Sequence, residues 1–89
     1  MGKGEISWRG QTPDGLPRQV YARRVGREWR FFVREKRYDQ WEPMATPPLE
    51  DWIELLDGVQ RRIARRLVRP EEEPNLKKRI VELFPDIQL

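Results

Sequence analysis

Between Arg18 and Lys36 the chain interleaves six arginines with four aromatic residues, Tyr21, Trp29, Phe31 and Phe32. Guanidinium groups take phosphates through planar, bidentate hydrogen bonds and stack on rings, and rings give nucleobases a surface to stack on. Those two residue types together are what an open single strand of nucleic acid requires. Which of them share a face depends on pairing across Gly26-Arg27. A two- or four-residue turn there sets Tyr21 opposite Phe32, Arg23 opposite Arg30 and Gln19 opposite Arg34. One face of the hairpin is then Tyr21, Arg23, Arg30, Phe32 and Arg34, and the reverse face, Val20, Ala22, Trp29, Phe31 and Val33, is apolar. A three-residue turn would move Tyr21 to the apolar side. A β-ribbon of this kind also suits a DNA major groove. The plainer alternative makes Tyr21 and Phe32 an ordinary cross-strand pair shielded by arginine stems.

A second basic group, Arg61, Arg62, Arg65, Arg66 and Arg69, closes a helical pattern. Its pairs at i,i+4, Arg61/Arg65, Arg62/Arg66 and Arg65/Arg69, repel in isolation, and Asp57 relieves only Arg61. Cations at a helix C-terminus are favourable, and Glu71 to Glu73 are near enough in sequence to fold back. Phosphate binding is one use of the group. Pairing with the acidic half of a second copy, where Glu50, Asp51, Glu54 and Asp57 are expected on the outer face, is another. A homodimer or protein partner is therefore the alternative to DNA or RNA. Trp41, beside Pro43, and the C-terminal stripe Leu76, Ile80 and Phe84 are the candidate anchors for such a partner. Glu50, Glu54 and Asp57 share one side of the helix at a spacing open to Mg²⁺. Acids in the first half of a helix more commonly complement the dipole, so no metal site is expected.

Catalysis has little to work with. The chain has no Cys and no His, which removes thiolate chemistry, zinc sites of the usual kind and histidine acid/base mechanisms. It carries no phosphate-cradling glycine loop, nucleophile elbow, kinase signature or dinucleotide fingerprint. A non-enzymatic module without a cofactor is the expectation. Net charge is +3, but the charges come in blocks. Residues 1–37 hold ten bases and four acids, 38–60 six acids and no base, 61–69 five arginines, and 70–89 three bases and five acids. Arg outnumbers Lys 14 to 4, which favours bidentate, stacking sites, although a GC-rich genome produces the same bias. The N-terminus has no apolar leader and no stretch approaches the roughly 18 apolar residues of a membrane span. A cytoplasmic protein that does not enter membranes is expected.

These groups must be positioned by a small core. Leu, Ile, Val and Phe number 22 of 89 residues and four Trp add large anchors, enough to offset a mean hydropathy of −0.90 and support one folded domain over 1–89. Residues 1–4 are expected to be disordered. Glu5 to Arg9 alternates as a first strand ending at Gly10, and Pro13-Asp14-Gly15 marks a turn. Arg18–Val25 and Glu28–Lys36 form the hairpin, and Gln40-Trp41-Glu42 forms a fourth strand before Pro43. Thr46 caps a long helix with Pro47 at its first position. Its stripe is Leu49, Trp52, Ile53, Leu56, Val59, Ile63 and Leu67, with Gly58 almost opposite. Residues 70–74 are an acidic, proline-flanked linker, and Pro74 opens a second helix ended by Pro85. The expected fold is α+β, a three- or four-stranded antiparallel sheet packed against one long helix and followed by a short C-terminal helix, in the order β-β-β-(β)-α-α.

Overall fold

A computed structural model describes residues 4–89. The expected disorder at 1–4 therefore lies outside the described residues, apart from Gly4, which stands in a turn. The chain is an α+β fold in which a four-stranded antiparallel sheet precedes two helices. It divides into two compact units, Met1–Pro47 and Pro48–Leu89.

The first unit is the sheet, with β1 (Ile6–Gln11), β2 (Pro17–Val25), β3 (Glu28–Arg34) and β4 (Glu42–Met44) in the spatial order of the sequence. Thr12 organises the β1–β2 turn: its carbonyl accepts from the Gly15 N–H at 2.8 Å and its hydroxyl from the Leu16 N–H at 3.1 Å. Between β2 and β3 the loop is only Gly26-Arg27, because Val25 pairs with Glu28. Gly26 has φ +61° and Arg27 has no positive φ, the pattern of a two-residue hairpin turn whose twist matches the flanking strands. Only a residue without Cβ adopts that first position at no steric cost. The turn fixes the register, with Tyr21 against Phe32, Arg23 against Arg30 and Gln19 against Arg34.

Alternation then sorts the side chains. Ile6, Val20, Ala22 and Phe31 point to one face and are buried, with Trp8 edge-on to Phe31 at 5.9 Å. Arg18 shares that face at 8% exposure, lies over Gly10 and donates from Nε to the Gln11 carbonyl at 3.2 Å. β4 is shifted from its expected position: Trp41 precedes it and Pro43 sits inside it, opposite Phe32. Proline is tolerated there because β4 is an edge strand, where a missing N–H breaks no ladder.

The second unit is two helices, α1 (Leu49–Ala64) and α2 (Glu72–Leu83). Thr46 does not cap α1. Pro48 occupies the cap with φ −67° and ψ 160° and no side-chain cap bond, because a residue before proline is driven out of the α region and Pro47 cannot begin the helix. The buried face of α1 is Asp51, Trp52, Leu55, Leu56, Gly58 and Val59. It is turned from the expected stripe toward Leu55, and Ile53 and Leu67 are 38% and 69% exposed. Gly58 is therefore on the buried side rather than opposite it, and Asp51, at 2% exposure, is not on the outer acidic face.

The helix stops at Ala64, short of Leu67 where the expected stripe ends, in a reversal at Arg66. The supposed linker also changes character: Glu72, Glu73 and Pro74 are the first turn of α2. A first-turn proline forfeits no intrahelical bond, and the two acids complement the dipole. Leu76 and Ile80 are buried, and Gln60 of α1 donates to Glu73 Oε2 of α2 at 2.7 Å. Phe84 leaves the helix at φ −132° immediately before Pro85. Among the described residues no helix is long and apolar enough to cross a membrane.

Candidate functional site

The five hairpin residues singled out by type and register lie on one face of the sheet. Arg23 and Arg30 are exposed, and Tyr21, Phe32 and Arg34 are half-buried. Tyr21 and Phe32 stack at 4.8 Å between centroids with 15° between planes. The Arg23 guanidinium lies 5.5 Å from the Phe32 centroid. The cross-strand pair and the arginine-aromatic surface are therefore the same object, since the rings stack on one another and a guanidinium rests over them.

Trp41 joins this face. Although it lies outside β4, its ring meets Tyr21 edge-on at 4.7 Å, and the Arg34 guanidinium stands 4.2 Å from its centroid. Arg34 is held there by its Nε, which donates to Gln19 Oε1 at 2.8 Å. That single bond leaves both terminal amino groups of Arg34 without a protein partner among the described residues. Of the candidate partner anchors, Trp41 belongs to the sheet unit, and Leu76, Ile80 and Phe84 belong to the helical unit. Leu76 and Ile80 are 2% and 0% exposed, so an acidic substitution at either reports on folding before association. Phe84 is half-buried beyond the end of α2.

Two residues of β1 extend the surface. Ser7 pairs with Tyr21 and Arg9 with Gln19, so both share the Tyr21 face. Arg9 is exposed and has no hydrogen bond or ion pair among the described residues. Between β1 and Trp41 the face holds an open groove of about 590 Å³, bordered by Ser7, Arg9, Gln19, Tyr21, Arg34 and Trp41, with Glu5 also on its wall. The sequence marks β1 and the Pro13-Asp14-Gly15 turn after it, but Ser7 and Arg9 are not among the residues it points to for this face. The usable signal was the short turn from Thr12 to Leu16, which brings the alternating Ser7 and Arg9 onto the hairpin's front.

The second basic group is dispersed by the end of α1. Arg61 and Arg62 are in the last turn, Arg65 is the cap, Arg66 is in the left-handed region and Arg69 is beyond. The helical pairs Arg62/Arg66 and Arg65/Arg69 therefore do not form. Arg61 pairs with Asp57 at 2.9 Å in an exposed i,i+4 contact, worth at most a few tenths of a kcal/mol. Glu73, rather than folding back onto the arginines, bonds Gln60 and pairs with Lys77 at 3.4 Å.

No protein-family model, curated protein or solved structure matches the chain.

Proposed function

We propose that the chain is a non-enzymatic module that binds single-stranded nucleic acid through the Tyr21, Arg23, Arg30, Phe32 and Arg34 face of its sheet. The observation that carries this reading is the register, which gathers three arginines and two aromatics on one side while Val20, Ala22 and Phe31 of the other side are buried. Arg9 and Trp41 extend it across the groove. Phosphate contacts dominate, because Tyr21 and Phe32 cover one ring face of each other and Arg23 lies over Phe32. Stacking is left to the groove. The absence of Cys and His from the sequence fits a binding role rather than a catalytic one.

The test is fluorescence anisotropy with labelled single-stranded and duplex DNA and RNA at about 50 and 200 mM salt, where release of counterions from phosphates gives a steep salt dependence. Binding that weakens with salt, prefers single strands and loses slope in Arg30→Gln and Arg34→Gln supports the reading. No binding at the lower salt removes it.

A further inference from the structure

We infer that the groove between β1 and Trp41 is a subsite for one nucleotide of the bound strand, its base layered on the Arg34–Trp41 pair and its phosphate held by Arg9. This deepens, and rests on, the nucleic-acid reading.

The geometry supplies each part. A groove of about 590 Å³ is within the range of clefts that take small ligands, and a nucleotide is of that size. Arg34 stands over Trp41 at 4.2 Å and is fixed by its bond to Gln19. A guanidinium laid on a ring offers its own outer plane to a base, and bases stack on guanidinium planes as they do on aromatic rings. The pair is therefore a platform already assembled, with little order left to impose on binding. Gln19 spends its side-chain oxygen on Arg34, and its amide nitrogen makes no other bond among the described residues. That nitrogen is a donor for an acceptor atom on the base edge. Arg9 borders the same groove and has no carboxylate partner among the described residues, so it is free to take a phosphate.

The experiment has two arms on the whole chain. In the first, ¹⁵N–¹H spectra are titrated with uridine 5′-monophosphate at millimolar concentration, with uridine and inorganic phosphate as controls. Shifts confined to the Trp41 indole, the Gln19 amide and the backbone of Ser7 and Arg9, larger for the nucleotide than for either control, are expected. Equal shifts with phosphate alone, or none in the groove, overturn the subsite. In the second arm, a labelled single strand is titrated against Arg9→Gln and Trp41→Leu. Arg9→Gln is expected to lower the salt slope by about one phosphate and Trp41→Leu to weaken binding roughly ten-fold. If Trp41→Leu fails to fold, exposed Arg9→Gln decides the arm. Strand binding that survives both changes overturns the subsite and leaves the face reading standing. Groove shifts with the mononucleotide but no strand binding overturn the face reading and leave a site for free nucleotides.

Discussion

The Leu67 N–H reaches back to the Arg62 carbonyl at 2.8 Å, and inside that loop the Arg66 N–H donates to the Ile63 carbonyl at 2.9 Å. With the Arg65 N–H, which also donates to the Arg62 carbonyl at 3.2 Å, these bonds close the end of α1, and they require a left-handed residue at Arg66. Arg66 fills that position at φ +59°, where an L side chain crowds its own backbone at a cost of about 1–2 kcal/mol. Glycine removes the crowding but loses more chain entropy on folding. Arg66→Gly is therefore expected to stabilise the protein by about 0.5–1 kcal/mol, read as a rise of several degrees in the thermal midpoint. A lowered midpoint would mean that the arginine side chain contributes more than its backbone costs.

Leu55 is fully buried while Ile53, two residues earlier, is 38% exposed. Leu55→Ala should cost about 2–5 kcal/mol, a deletion in a packed interior. Ile53→Ala should cost less than about 1 kcal/mol. Urea denaturation of the two variants measures which way α1 faces, and equal losses would contradict the buried face described for it.

Phe31 and Phe32 are neighbours on opposite sides of β3. Phe31 is 2% exposed, and its replacement by Ala should cost about 3–5 kcal/mol, enough to unfold much of a domain with a total stability of about 5 kcal/mol. Phe32 is half-buried on Tyr21, and Phe32→Ala should cost about 1–2 kcal/mol for part of the ring area and the stack. Circular dichroism melts separate the two, and a reversed order would exchange the faces of the sheet.

Glu73 supplies a pH dependence. Its carboxyl is held below the ordinary value of 4.5, first by the hydrogen bond from Gln60, with desolvation opposing that effect and the hydrogen bond and charge of Lys77 adding to the lowering. A carboxyl depressed in the folded state stabilises fully above its unfolded pKa, and that contribution is lost as pH falls through the folded one. The difference in urea midpoint between the protein and Glu73→Gln is thus expected to be open at neutral pH and to close on acidification below about pH 4.5. A gap constant with pH would show that Glu73 acts without its charge.

The hairpin was legible in the sequence from Gly26-Arg27 between two β-prone runs, but its register was not, since a three-residue turn would have put Tyr21 on the apolar side. The two-residue turn decides it, and alternation does the rest for Tyr21, Arg23, Arg30, Phe32 and Arg34. The α1 face was not, because Leu49, Trp52, Ile53, Leu55, Leu56 and Val59 satisfy two overlapping helical stripes, and tertiary packing selects between them. Asp51 defeated the rule that acids face outward, and its burial has no local signature. Arg66 hid the end of α1, since arginine is a good helix former and the left-handed position is normally marked by glycine or asparagine. Trp41 was noticed for its neighbour Pro43, yet its place over Tyr21 depends on how β4 pairs, which three residues of sequence do not specify.

The two borders of the sheet are unequal. β4 is three residues long with Pro43 at its centre, whereas β1 runs six residues without proline. Strand addition at β4 would meet a missing donor at once, so growth of the sheet from that side is blocked. Any association through β1 would join like border to like border and leave only proline-bearing borders outside. Such pairing terminates at two copies, and the sheet carries its own stop against polymerising into fibres.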